Sequence, residues 1–515
     1  MGNAKVDVLV IGGGPAGSSL AGHLARQGVR VLVVEGKKFP REHIGESLLA
    51  VSMPILADLG VAPELEAGGL PRKLGAVFVW GPTDQPMTLR MPEPGYAFQV
   101  RRAEFDDLLL RHAGKLGAHV WQERWIKEPV WDDSGRMCGA VVAGPGDRPQ
   151  TVFARFVVDA SGLFQFLPKK LGLPISTFGP RRVALTAYYT GALRYDQPYA
   201  DDIISEACQD GWIWFIPLDD HTTSVGFVGD EGDLVGAPQD ALELQVATST
   251  LTKQLIAPAT LARPAKVRKY TNHTVESPLW TNGYLLVGDT AIFVDPLFST
   301  GVHGSLHSSA NAAAGIVSVL EGTLAEDRVA AWFDHTFRSH YGRVREMIRL
   351  LYGLHPGNSR FWRNRTLSRI GEEDAEDLVR SIGVAGLDFF AMTGDSLALP
   401  EPLRRRIGTN SYRPTSAALP MDSVLDLADE AELEPTLMRS GGRLVPSIIL
   451  RHRRSRTQEY EFAEHGGLHR LLLALDGERD LQSAVAAVNG DATDQDKIAL
   501  FVGELVSCGL LDPVG

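Results

Sequence analysis

The sequence predicts an α/β fold: a Rossmann-like domain with an inserted β-sheet lobe and a helical C-terminal section. Two observations carry this expectation. The chain opens with a strand–turn–helix–strand pattern around Gly12-Gly13-Gly14-Pro15-Ala16-Gly17. Short apolar runs ending in Asp159-Ala160-Ser161-Gly162 and in Gly288-Asp289 then return far downstream, so the parallel sheet is assembled from distant segments.

Val6–Val10 is nearly all apolar and reads as a central strand buried on both faces. Ser18–Gln27 follows as a helix, and Val29–Val34 as a second strand ending at Glu35. Val152–Ala160 and Tyr284–Val287 are further strands. Arg181–Ala192, Thr222–Phe227, Val77–Trp80 and Met87–Met91 have strand composition and predict a separate sheet. A helical pattern runs from about Ala313 to Leu351, and Pro and Gly thicken near Leu354–Asn358 and Leu399–Pro402. Apolar spacing at Leu468, Leu471, Leu472 and Leu475, then through Leu481–Val488 and Ile498–Leu511, predicts a small helical appendage of winged-helix kind.

The expected division is 1–75, 96–180 and 270–345 for a discontinuous nucleotide-binding domain, with 76–95 and 181–269 for the inserted lobe. Residues 346–401 form a helical linker and 402–515 the C-terminal section.

A chain of 515 residues exceeds what one hydrophobic core supports, so two or three lobes are expected. A net charge of −12 argues against nucleic acid as a main partner. The local runs Arg404-Arg405-Arg406 and Arg451-His452-Arg453-Arg454 read as solvated faces. Three scattered cysteines, Cys138, Cys208 and Cys508, have no metal or disulfide spacing and fit a reducing cytoplasm. No apolar run approaches the roughly 18 residues of a membrane helix, and no metal site is expected.

The glycine turn has a defined chemistry. Gly12 makes the tight turn, Gly14 lets backbone approach a pyrophosphate, and Gly17 lets helix and strand pack closely. The helix that follows offers free N–H groups and a positive dipole end. Glu35, 18 residues after Gly17, can bond ribose hydroxyls. The later motifs favour FAD. Val100-Arg101-Arg102-Ala103-Glu104-Phe105-Asp106 resembles the VxRxxFD segment of FAD-binding hydroxylases, which implies that Arg102 contacts the cofactor. Gly288-Asp289 resembles their second FAD motif, which implies that Asp289 bonds the ribityl or ribose-phosphate portion.

Three further segments depart from a hydroxylase. They are Phe39-Pro40-Arg41-Glu42-His43-Ile44-Gly45-Glu46-Ser47, Trp212-Ile213-Trp214-Phe215-Ile216-Pro217, and Asp295-Pro296-Leu297-Phe298-Ser299-Thr300-Gly301-Val302. Over roughly residues 5–400 the chain resembles the flavin-dependent halogenases, and within them the branch acting on phenols or pyrroles, often tethered to a carrier protein.

The resemblance implies that reduced FAD, oxygen and chloride or bromide form hypohalous acid for an electron-rich aromatic in natural-product biosynthesis. Lys73, in Gly69-Leu70-Pro71-Arg72-Lys73-Leu74-Gly75-Ala76, matches the family's catalytic lysine segment. Trp212, Trp214 and Pro217 would wall the flavin from the substrate. The backbone of Thr300 and Gly301 would hold the halide. Gly12, Gly14, Ala16, Gly17, Glu35, Arg41, Ser47, Arg102, Asp289, Pro296, Gly301 and Val302 would line the flavin. Reduced flavin would come from a separate reductase. Phe298 stands where tryptophan halogenases carry an acid, which argues against free tryptophan, and it would line the substrate path. The alternative is an FAD-dependent aromatic monooxygenase of the same fold.

Overall fold

The computed structural model describes residues 4–80, 86–91, 95–234, 236–353, 355–365, 420–452, 459–464, 467–488, 495–507 and 510–514. Most of the expected linker (366–401), its Pro/Gly-rich end at 399–402, Arg404–Arg406 and Cys508 lie outside them. The chain divides into two compact units, the first made almost wholly of residues 1–368 and the second of the C-terminal section.

Among the described residues the first unit holds three large sheets and the two-stranded pair Arg72–Lys73 with Ala97–Phe98. A six-stranded sheet runs in the order Trp280–Thr281, Tyr284–Leu286, Phe156–Asp159, Val8–Ile11, Val31–Glu35, His119–Gln122, and is parallel except at its first strand. Its inner strands are buried along their length, which is why they read as unbroken apolar runs.

The helix after the first strand begins at Pro15, three residues before the expected start. Proline fits this position because it lacks an N–H that would have no partner there. A four-stranded sheet holds Ala4–Lys5, Gln150–Phe153, Met137–Ala143 and Trp125–Trp131. The expected strand Val152–Ala160 is therefore two strands, broken at Ala154-Arg155 where the chain passes between sheets.

An eight-stranded sheet forms the inserted lobe. Its order is Ile292–Phe293, Thr260–Val275, Ile175–Thr190, Thr222–Asp230, Gly211–Pro217, Ile203–Cys208, Gly75–Val79, Met87–Arg90. All neighbours are antiparallel except Ile203–Cys208 and Gly75–Val79. Side chains alternate across a strand. Ile213 and Phe215 join Ala241, Leu242 and Val246 in one apolar core, which leaves Trp212 and Trp214 on the opposite face.

The helical region starts earlier than its composition suggests. Helices span Thr300–Leu320 and Glu326–Gly353. The first carries Gly301, Gly304, Ser305, Ser308 and Ser309, poor helix formers that are present because the Pro15–Arg26 helix lies against it. Ser309 Oγ donates to the Ala16 carbonyl at 2.8 Å. No described helix is long and apolar enough to cross a membrane.

The C-terminal unit has helices Gly467–Ala474, Leu481–Val488 and Gln495–Ser507, and also two three-stranded sheets. One is the meander Ala431–Ser440, Arg443–His452, Glu459–Ala463. Leu425, Leu471, Leu472, Leu475, Val502 and Leu505 pack in its core. Arg451, from the basic run, lies beside Glu432 and Glu434 of the neighbouring strand.

Candidate functional site

The glycine turn is formed as its chemistry requires. Gly12 has φ +99°, and a Cβ there would fall 2.7 Å from the Ala160 carbonyl oxygen. A Cβ on Gly17 would lie 1.9 Å from the Gly12 oxygen. Gly14 is the residue before the helix, and a Cβ on it would meet only Arg41 Nη2, at 3.2 Å. The helix N-terminus is therefore open beside Gly14, which is itself part-exposed. Glu35 accepts the Gly13 N–H at 2.7 Å through one oxygen and the Lys37 N–H through the other, which ties the acid to the turn. Ala16 packs beside Gly288, whose Cβ position is 3.1 Å from the Ala16 methyl.

Arg102 opens the helix Arg102–Lys115 and is buried. It grips Asp106, one turn on, with Nε and Nη2 at 2.8 and 3.0 Å, and donates to the Ile44 carbonyl at 2.6 Å. Arg41 stands 3.5 Å from the same aspartate, its guanidinium 4.7 Å from the Phe39 ring centre. Asp106 was not singled out by sequence, although its i, i+4 spacing from Arg102 on a helix was visible.

Asp289 sits in a single turn, Gly288–Thr290. Among the described residues its carboxylate takes no hydrogen bond. Desolvation pushes its pKa up to about 7, against the pull of the Arg102 charge. A carboxylate in that condition suits hydroxyl donors such as those of a ribityl chain.

Pro296–Phe298 form another single turn, and Ser299 takes a left-handed φ of +57° before the helix that starts at Thr300. Thr300 Oγ1 is buried with no hydrogen-bond partner among the described residues. Gly301 has open space where a Cβ would be, and Val302 is buried against the Leu48–Phe98 core. The Phe298 ring centre is 6.0 Å from that of Phe78.

The turn is held by Asp295, which is fully buried. It accepts hydrogen bonds from Arg182 Nη1 (2.6 Å), Tyr270 Oη (3.0 Å), Tyr352 Oη (3.1 Å) and the Leu297 N–H (3.2 Å). Replacing Arg182 with methionine should leave this carboxylate buried without its cation. The expected loss is roughly 3–5 kcal/mol of stability, read by chemical denaturation. A variant as stable as the native chain would contradict the bracing role.

Lys73 occupies a two-residue strand paired with Ala97–Phe98 and is 1% exposed. Its Nζ donates to Ser47 Oγ at 2.7 Å. Burial depresses its pKa to about 7, with Asp202 opposing the shift. Glu46, next to Ser47, is buried and accepts from Tyr188 Oη at 2.9 Å. Its pKa is raised by burial, with hydrogen bonds from Ser224 and Tyr188 offsetting part of the rise.

Trp212 and Trp214 are both buried, their ring centres 6.1 Å apart. Trp214 Nε1 donates to Ser224 Oγ at 3.2 Å, and Trp212 Nε1 has no partner among the described residues. Gly226 makes room for Trp214, since a Cβ there would fall 2.0 Å from its ring. Pro217 ends the strand opposite Thr223. The structure thus brings Lys73 to Ser47 and Glu46 to the row of Tyr188 and Ser224 beside Trp214. No hydrogen bond or ring contact among the described residues joins the tryptophans to Lys73.

Comparison with known proteins bears on this arrangement. The tryptophan halogenase family profile matches residues 7–91 and 82–384. The tryptophan 2-halogenase of Chondromyces crocatus is 31% identical over 377 residues, 71% of each chain. The 1H-pyrrole-2-carbonyl-[peptidyl-carrier protein] chlorinase of Pseudomonas fluorescens is 29% identical over 386 residues, 69% of this chain and 85% of that protein. The structure of the myxobacterial chondrochloren halogenase superposes with a TM-score of 0.67 at 32% identity, covering 80% of this chain and 98% of that one.

Proposed function

Because the chain belongs to the tryptophan halogenase family of flavin-dependent halogenases, we propose that it passes an oxidised halogen through Lys73 to an electron-rich phenol or pyrrole. The buried lysine bonded to Ser47 carries this reading. An amine dry enough to titrate near neutrality can serve hypohalous acid either as a hydrogen-bond donor or as a nucleophile.

FAD is the cofactor, and its bound reduced form supplies, with oxygen and halide, the hypohalous acid. The residues present fit it. Gly14 leaves the cradle open, the Pro15–Arg26 helix turns free N–H groups toward it, and Asp289 has a carboxylate to spare. We assign Gly12, Gly14, Ala16 and Gly17 to the pyrophosphate, Glu35 to the ribose, and Arg41 and Arg102 to the phosphate side. Ser47, Asp289, Pro296, Gly301 and Val302 would complete the lining. Thr300 and Gly301 would hold the halide at the start of their helix, where the orphaned Thr300 hydroxyl lies. Trp212, Trp214 and Pro217 would form a stiff wall, since two indoles and a proline ring lose little freedom on ordering.

The discontinuous domain of 1–75, 96–180 and 270–345 would bind FAD, and the sheet lobe of 76–95 and 181–269 would cover it. Residues 402–515 would dock a carrier protein or gate the site. A separate flavin reductase, acting in the same cytoplasm, would supply reduced FAD by diffusion.

The substrate class is tested with a panel of free tryptophan, a simple phenol, a free pyrrole and a carrier-tethered pyrrole. Each is given reduced FAD, oxygen and chloride or bromide, and products are read by isotope pattern in mass spectrometry. Halogenated phenol or pyrrole is expected. Phe298 lacks the carboxylate that a less activated indole position needs, so tryptophan should stay unmodified. Halogenated tryptophan as the sole product would overturn the assignment.

A further inference from the structure

Ser47 meets the amine of Lys73; a second group meets the backbone of the two residues that follow it. Asp202 ends the turn Tyr199–Asp202, where its own N–H donates to the Tyr199 carbonyl at 3.0 Å, and it is 1% exposed. The strand that follows it, Ile203–Cys208, pairs in parallel with Gly75–Val79, Ile203 opposite Ala76. The residue entering one strand is thereby brought level with the residues entering the other. Asp202 Oδ1 accepts the Leu74 N–H at 2.6 Å and the Gly75 N–H at 3.0 Å. Glycine is needed at 75, because a Cβ would fall 1.8 Å from the Leu89 carbonyl oxygen and 3.1 Å from Asp202 Oδ2. That second oxygen is buried with no hydrogen-bond partner among the described residues.

A neutral side chain could accept the same two N–H bonds without the cost of desolvating an ion. The cation that this charge acts on is Lys73, the residue before Leu74.

We propose that Asp202 is the positioning residue of Lys73: two backbone N–H bonds fix the lysine's segment, and the carboxylate's charge acts on the buried amine. Other groups near the lysine do not offer that charge. Ser47 is uncharged, Arg72 turns outward to Glu66 and the Tyr96 ring, and Glu46, bonded by Tyr188, has its pKa raised by burial. Burial raises the Asp202 pKa and the neighbouring Asp201 charge adds to the rise, while the Leu74 and Gly75 N–H bonds and the Lys73 charge hold the carboxylate toward its ionised form. In a low-dielectric setting an opposite charge of this kind favours the protonated amine. The inference deepens the reading of Lys73 as the relay and rests on it for its catalytic consequence alone.

The test is an NMR titration of the full chain labelled with ¹³C-lysine at Cε, where the signal lost in Lys73→Met identifies Lys73. In Asp202→Asn, which keeps an acceptor oxygen and removes the charge, the Lys73 titration should move down by about 1 pH unit or more. Asp202→Ser, also neutral, should move it the same way and serves if the asparagine variant does not fold. The lysine-governed limb of the halogenation pH profile should follow to lower pH whether the ammonium or the free amine is the active form. Asp202→Ala should further lower kcat relative to Asp202→Asn, because the two N–H bonds are lost. A Lys73 titration that stays in place in the neutral variants overturns the proposal. A shifted titration together with full halogenation by Lys73→Ala keeps Asp202's role and overturns the relay reading instead.

Discussion

Lys73→Ala should reduce halogenation by at least about 10³-fold while protein-bound reduced flavin still returns to its oxidised spectrum at the native rate. The size follows from removing a group that acts directly on the transferred atom. The selectivity follows from placement. Lys73 stands on a strand paired with Ala97–Phe98, and its Nζ contact is Ser47. Of the residues proposed to line the flavin, Ser47 is the one bonded to Lys73, and the glycine turn and the Thr300 helix start are separate elements that alanine at 73 leaves whole. Because alanine opens a cavity around a 1%-exposed position, Lys73→Met is the companion variant: it fills the volume and lacks the amine. Product is counted by mass spectrometry and flavin by absorbance. Native-rate halogenation by either variant would remove Lys73 from the reaction.

Gly14→Val should weaken FAD binding by about 100-fold or more, close to 3 kcal/mol, with the fold kept. Gly14 has φ −69° and ψ −173°, which valine adopts readily, and the new Cβ would meet only the end of the Arg41 side chain. The branched methyls would instead stand in front of the helix N–H groups, where a pyrophosphate must approach. Far-UV circular dichroism should be unchanged and a flavin titration strongly weakened. Gly17 gives the contrast: its Cβ would strike the Gly12 backbone oxygen at 1.9 Å, so a side chain there damages the turn itself. Native FAD affinity in Gly14→Val would refute the pyrophosphate assignment.

What the sequence made legible was local. The parallel strands showed because burial on both faces makes them continuously apolar, and the glycine turn showed because its spacing is set within six residues. Thr300 and Gly301 stood out by their motif, but the body of the helix they open did not. Gly304, Ser305, Ser308 and Ser309 look unlike a helix until the Pro15–Arg26 helix against which they pack is known. The run Val152–Ala160 concealed a change of sheet, since apolarity alone does not show which sheet a residue enters. In the C-terminal unit the leucine spacing found the helices and passed over the long hairpin Ala431–His452, whose strand pairing is a property of two segments together.

The least legible groups were those that brace the site. Asp202 reaches the lysine segment from 128 positions away through a parallel strand pair, and Arg182 reaches Asp295 from 113 away. No motif spans such distances. Asp106 and Glu46 were closer to view, each lying inside a segment already notable for a neighbour, Arg102 in one case and Ser47 in the other.

The proposed function requires this protein to oxidise halide at its flavin before any substrate is touched. The most direct measurement mixes the native chain, carrying reduced FAD, with oxygenated buffer and a β-diketone that traps hypohalous acid, with and without chloride or bromide. Halogenated trap formed in proportion to flavin reoxidised, and only when halide is present, is the predicted result. Complete reoxidation with halide present and no halogenated trap would contradict halide oxidation by this protein.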